Sequence, residues 1–232
     1  MNPILRNILL GIAIIVVLYL IYYFFFSNKN LSDMNPGNKE VKISASKLAT
    51  NANSNNFTYS IWFYVSDWQY RLTQAKDLLV RSQDGSSNPH ISMAPYENNL
   101  NINISSIQPG GKGGDNDCTI RNFPLQRWTH VLVSLNNRTL DVYLDGKLVR
   151  TCILSGVAKP IGESDVLITP NGGFSGWTSR FRTWSKPLNP QEVFNVYREG
   201  PGSTGSGLSF LDRYKLRISY YVDNVEQGSF SF

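Results

Sequence analysis

Residues 127–154 read RWTHVLVSLNNRTLDVYLDGKLVRTCIL, and this pattern calls for an antiparallel β meander. A strand over Trp128–Leu135 turns through Asn136 and Asn137 into Thr139–Leu144, where apolar and polar residues alternate with the period of two that divides side chains between the faces of a sheet. Asp145-Gly146 supplies the next turn, because a two-residue hairpin needs positive φ at its centre and Asp-Gly adopts it at low cost. A third strand, Lys147–Ile153, follows at once.

Similar signals recur along the chain. FTYSIWFYV at 57–65 sets Phe57, Tyr59, Ile61, Phe63 and Val65 on one face, with Trp62 and Tyr64 on the other, as expected of a central strand covered on both sides. Shorter strands are expected at Leu78–Arg81, His90–Ala94, Leu100–Ile104, Asp165–Thr169 and Phe174–Trp184, with an edge strand around Val41 and Ile43. QPGGKGGDND at 108–117 reads as a loop. NPQEVFNVYREG at 189–200 carries a helix code: Asn189 as N-cap, Pro190 at the first helical position, Glu192 at the third and Gly200 after the last turn. A hydrophobic content of 41% is enough for a core, and 17% charged with 12% aromatic residues fits a turn-rich β protein. The net charge of +5 is scattered and is not a basic run interleaved with aromatics, so nucleic acid is not an expected partner.

Ahead of this β region lies ILLGIAIIVVLYLIYYFFF, Ile8 to Phe26, without a charge or a proline. As a helix it would cover about 28 Å, enough to span a bilayer core. Tyr19, Tyr22 and Tyr23 lie toward its end, where amphipathic rings favour the interface, so Ile8, Leu18, Tyr22 and Phe26 mark an expected membrane anchor with the lipid bilayer as partner. A cleaved signal peptide would have a shorter apolar region and small residues at a cleavage site, whereas this run ends in FFF and SNKN. Arg6 before the span and Lys29, Lys39 and Lys42 after it leave its orientation open. The expected organisation is an anchor over 1–29, a polar stalk and first edge strand over 30–56, a sandwich over 57–202, and a linker with a C-terminal strand tail over 203–232. In that tail Tyr214, Leu216, Ile218 and Tyr220 alternate with polar residues, and such a strand must pair with its own sandwich or with a neighbour, the neighbour being favoured as a partner-binding strand.

LQRWTHVLVSLNNRTLDVYLDGKLVRT and GGFSGWTSRFRTWSKPLNPQEVFNVYREGP together resemble the laminin-G-like branch of the concanavalin A-like lectin/glucanase superfamily, over roughly Phe57 to Gly202. The resemblance implies a mainly β fold: a jelly-roll sandwich of two antiparallel sheets with one short C-terminal helix, here preceded by a single transmembrane helix. CTIRNFPLQRW at 118–128 is similar, more narrowly, to membrane-anchored versions of this domain encoded by large DNA viruses of algae and protists. That likeness implies a minor capsid or virion membrane protein lying between an internal membrane and a protein shell, with other capsid proteins as partners.

Chemistry is sparse. Glucanases of this fold carry tightly spaced carboxylates on one strand, and the nearest match, Glu163-Ser164-Asp165, lacks the second glutamate, so no catalytic residue and no enzyme are expected. His130 has no triad partner nearby in sequence and reads as a packed strand residue. Asp115-Asn116-Asp117 offers oxygens for calcium, but the remaining ligands cannot be named, so a polar turn is the plainer reading and neither metal nor cofactor is expected. Trp62, Trp128 and Trp184 fall in strand patterns as core residues, while Trp68 and Trp177 lie near loops as candidate stacking surfaces for glycans. Cys118 and Cys152 are either one disulfide or two buried thiols, and a bond is expected because Cys118 enters the meander and Cys152 lies on its third strand, within reach across a sheet edge. Sequons at Asn30, Asn56, Asn103 and Asn137 offer a test of topology.

Overall fold

The computed structural model describes residues 11–20, 30–49, 55–108, 110, 113–202, 217–222 and 225–231. Contacts divide the chain into one unit over Asn30–Gly202 and another drawn from the residues before and after it.

In the second unit, residues 11–20 form α1, a helix exposed along its whole described length. Leu18 lies in it with 59% exposure, whereas Ile8, Tyr22 and Phe26 fall outside the described residues. Among the described residues no helix is long and apolar enough to cross a membrane. Strands β14 (Arg217–Val222) and β15 (Val225–Ser231) pair antiparallel, placing Ile218 opposite Phe230 and Tyr220 opposite Gly228. The tail strand therefore finds its first partner in the residues that follow it, which the expectation of a lone strand had omitted. Tyr214 and Leu216 lie outside the described residues.

Asn30–Gly202 is a sandwich of two antiparallel sheets. Six strands make one sheet, in the order β1 (Asn35–Pro36), β13 (Ser175–Trp184), β3 (Phe57–Asp67), β8 (Trp128–Asn136), β9 (Thr139–Leu144) and β10 (Lys147–Ile153). In the other, β2 (Val41–Ile43), β12 (Val166–Ile168), β4 (Lys76–Gln83), β5 (Ser86–Met93) and β6 (Leu100–Ile107) follow in that order. There β7 (Gly113–Ile120) runs the length of β6 on one side, while β5 and then β11 (Val157–Ala158) line the other. The 30–56 stretch, expected as a stalk with an edge strand, thus contributes β1 to one sheet and β2 to the edge of the other.

Alternation decides what each strand buries. Phe57, Tyr59, Ile61, Phe63 and Val65 of β3 join one core cluster with Leu79, Ile91, Ile102, Val133, Val142 and Ile168 from both sheets. The opposite face of the six-stranded sheet is also covered, by α2 (Pro190–Arg198) and the segment leading into it. Leu132, Tyr143, Leu188 and Val193 form a second buried cluster there, and Trp62 stacks on Tyr197 with ring centroids 5.5 Å apart. The helix code reads out as expected: the Asn189 side chain accepts from the Glu192 N–H at 2.9 Å, and the Glu192 carboxylate accepts from the Asn189 N–H at 2.9 Å.

The meander forms with Asp145 and Gly146 at φ of 48° and 74°. The 108–117 stretch departs from expectation, since its second half enters β7 and pairs with β6 throughout. No apolar alternation announced this strand, because its outward side chains are matched by polar ones across the ladder. Asp115 accepts from Ser105 at 2.8 Å and Asp117 from Asn103 at 2.9 Å, while Thr119 donates to Asn101 at 2.9 Å.

Candidate functional site

The sandwich closes at one end of the meander where edge strands β7 and β10, from opposite sheets, approach each other. Cys118 of β7 and Cys152 of β10 are joined there, with Cα atoms 6.1 Å apart, as the sequence led us to expect. Arg150 of β10 reaches across the same seam and donates from Nη1 to the Thr119 carbonyl at 2.8 Å.

Beside this seam is an open hollow of about 660 Å³ lined by polar and charged residues. Its carboxylates are Glu97, from the β5–β6 connection, and Asp117 of β7; its guanidinium groups are Arg121, just after β7, and Arg150. Asn99, Thr119 and Asn122 complete the lining. Most of these groups hold one another: the Asn99 amide donates to Glu97 at 2.6 Å, and its oxygen accepts from the Asn122 N–H at 3.2 Å. Sequence reasoning did not find this site. Its walls come from three segments far apart in the chain, and only the pairing of Cys118 with Cys152 hinted that Arg150 lies near Arg121.

The aromatic candidates separate sharply. Trp68 is not an open platform: the Lys76 ammonium sits 4.3 Å over its ring, Phe123 packs edge-on at 5.9 Å, and the indole N–H donates to the Tyr96 carbonyl at 3.4 Å. Trp177 is 44% exposed. It stands opposite Tyr64, which stands opposite Trp128, so one aromatic from each of β13, β3 and β8 lies in a row on the outer face of the six-stranded sheet. Gly176 makes this register accessible, since at φ +153° a Cβ there would sit 1.8 Å from the Tyr64 carbonyl oxygen. Trp62 is buried under α2 and not between the sheets, and Trp128 and Trp184 are only half-buried, because that face is covered in part.

The acidic and histidine candidates have structural occupations. Asp165 pairs with Lys42 at 2.9 Å and accepts from the Ala45 N–H at 2.8 Å, contacts that hold its carboxyl below the usual carboxylate range. Glu163 lies exposed in the preceding turn. Asp115 and Asp117 sit on a strand, bonded across to β6, and not in a cation-binding loop. His130 is fully buried with Nε2 2.8 Å from Ser60 Oγ, and burial, with the Arg182 charge behind it, pushes its pKa down to about 3. A Ser–His pair sealed from solvent has no access to a substrate.

Comparison with known proteins agrees with this architecture. A laminin G family profile, described as concanavalin A-like lectin/glucanases superfamily, matches residues 35–194. Among solved structures, the botulinum neurotoxin serotype D binding domain superposes with a TM-score of 0.57 at 13% identity, covering 72% of this chain and 42% of that one. The receptor binding domain of botulinum neurotoxin D gives 0.56 at 13% identity, covering 74% and 45%. The binding domain of botulinum neurotoxin DC in complex with rat synaptotagmin II gives 0.54 at 14% identity, covering 72% and 42%. This chain thus spans less than half the length of those domains, and at such identities the likeness is one of fold.

Proposed function

This chain belongs to the concanavalin A-like lectin/glucanases superfamily, and on that premise we propose that it is a non-catalytic interaction protein, held at a membrane by Ile8–Phe26 and binding partner proteins through its sandwich. The observation that carries this reading is the polar hollow at the β7–β10 seam, a braced and open surface with charged groups that the fold does not fully use. The occupation of Asp165 by Lys42 and the Ala45 N–H adds to it, since the nearest match to a glucanase carboxylate serves the fold. The reading narrows to a minor capsid or virion membrane protein linking an internal membrane to a protein shell. Its support is the uncharged Ile8–Phe26 run and the likeness of CTIRNFPLQRW to membrane-anchored viral domains.

Crosslinking mass spectrometry on native membranes or particles tests this. Crosslinks from the sandwich to shell proteins, with the chain retained in the membrane fraction, are the expected result. A chain released without detergent and linked to no other protein would sink it. The Trp177–Tyr64–Trp128 row favours a second reading, a membrane-tethered glycan binder. Glycan-array binding that is lost in Trp177→Ala, together with N-glycans at two or more of Asn30, Asn56, Asn103 and Asn137, would move the assignment to that reading.

A further inference from the structure

The sandwich takes up its chain at one edge. The Leu31 N–H donates to the Phe181 carbonyl at 2.8 Å, the Phe181 N–H donates to the Ser32 carbonyl at 3.1 Å, and Arg182 Nε donates to the Asn30 side-chain oxygen at 2.6 Å. β1 continues along the same strand, with Asn35 opposite Thr178 and Pro36 opposite Trp177. The chain also leaves here: the Ser179 hydroxyl donates to the Pro201 carbonyl at 2.6 Å, and Arg180 Nη1 donates to the Glu199 carbonyl at 2.9 Å. Both ends of the domain are therefore fastened to β13. The polar residues that follow Asn30 belong to the sheet edge and add no length to a tether.

The tether that remains is short. Ile8–Phe26 ends four residues before Asn30. Those four steps cover about 14 Å at full extension, and headgroups alone occupy about 5–7 Å on each side of a bilayer core. An anchor ending at the core boundary thus holds the β1–β13 edge at the headgroup layer. β10 stands four strand spacings across the sheet from β13, about 19 Å away.

The side chains at that edge suit the place. Trp177, at 44%, is the most exposed of the five tryptophans, and its indole N–H has no hydrogen-bond partner among the described residues. An indole is best placed where one side is apolar and the other wet, which is why Trp and Tyr gather at membrane interfaces. Tyr64 and Trp128 continue from Trp177 along the outer face. Charge takes no part in the choice, since Arg180 and Arg182 both lie against Glu199.

We propose that the sandwich rests its β1–β13 edge on the bilayer, with Trp177 seated among the lipid headgroups and the β7–β10 seam directed away from them. The inference rests on the membrane-held reading above and deepens it by naming the surface that meets lipid.

The test uses the full-length chain in phosphatidylcholine vesicles that contain a lipid spin-labelled at its headgroup, because a nitroxide quenches fluorophores close to it. Wild-type tryptophan emission loses a component that is absent from Trp177→Phe. The two native cysteines are bonded to each other, so an added cysteine is the only free thiol. A dye on Asn38→Cys, in the exposed turn after β1, is quenched by the same lipid, and a dye on Lys147→Cys, at the exposed start of β10, is not. Equal quenching in wild type and Trp177→Phe overturns the proposal, as does equal quenching of the two dyes. A change in Trp177 emission on adding glucan oligosaccharides, without lipid quenching, assigns the residue to glycans and overturns it too. If the wild type resists alkaline extraction from the vesicles but shows no quenching, the edge proposal fails while the membrane-held reading stands; a chain released by alkali fails both.

Discussion

Two histidines mark the difference between the outer faces of this sandwich. His130, on the six-stranded sheet, is fully buried, tilted against Trp62 at 5.0 Å, and its Nδ1 has no hydrogen-bond partner among the described residues. His90, on the seven-stranded sheet, keeps 36% of its side chain exposed, with Nε2 2.7 Å from Asp77 Oδ1. Each sits on a strand face pointing away from the core, and the alternation that places them is the same. What differs is the lid. Helix α2 turns part of one outer face into a second interior, where Thr and Ser must bond to one another: Thr58 Oγ1 lies 3.2 Å from Ser134 Oγ, and the Leu188 N–H donates to Ser134 at 3.1 Å. The other face meets water and is stitched by ladders of Asn, Asp, Ser and Thr, which leaves it free to present the hollow.

The contrast can be broken most forcefully at Leu132. Leu132→Asp removes packing beneath α2 and buries an unpaired carboxylate, and a loss of about 5 kcal/mol in urea unfolding is expected. Ser92→Ala on the open face should change stability by less than about 0.5 kcal/mol. Similar losses at both positions would show that α2 does not seal its face.

The seam between β7 and β10 comes next. Opening Cys118–Cys152, which spans 34 residues of sequence, should cost about 3–4 kcal/mol by the chain-entropy relation and lower the melting temperature of the oxidised chain clearly. Labelling of both thiols in unreduced native protein would remove the seam from the argument.

The histidines themselves give a pH test. His130 has a folded-state pKa of about 3 against 6.5 unfolded, so below pH 6.5 the unfolded chain takes up a proton that the folded chain refuses. Its contribution to stability is complete above that pH and declines as acid is added, by about 2 kcal/mol between pH 7 and pH 5. His130→Gln should flatten this part of the stability–pH curve, whereas His90→Gln should leave the His130 slope in place. A curve equally steep in His130→Gln would place the titrating group elsewhere.

The smallest of these effects lies at the lid's hinge point. Asn189→Ala removes one half of the capping box and should destabilise by about 1 kcal/mol, read by the same unfolding assay. An unchanged midpoint would mean that α2 is held by Val193 and Tyr197 packing alone.

Local chemistry made much of this legible. The Asp145-Gly146 hairpin, the two-sided strand Phe57–Val65 and the Asn189-Pro190-x-Glu192 helix start each rest on backbone preferences within a few residues, and each forms at its expected place. β7 was hidden because its register is fixed by side-chain pairs with β6, as at Asp117 and Asn103, and an edge strand facing water need not alternate apolar residues. The surroundings of Trp68 were hidden for a related reason: nothing near it in sequence announces that Lys76 will sit over its ring.

By itself, then, the sequence determined the strand and helix code and the class of fold, since propensity, turn chemistry and alternation act over short distances. Tertiary structure alone decided which outer face α2 covers, where Trp177, Tyr64 and Trp128 align, and that Glu97, Arg121 and Arg150 share one hollow. Those outcomes depend on register and closure between segments dozens of residues apart, and no local preference encodes them.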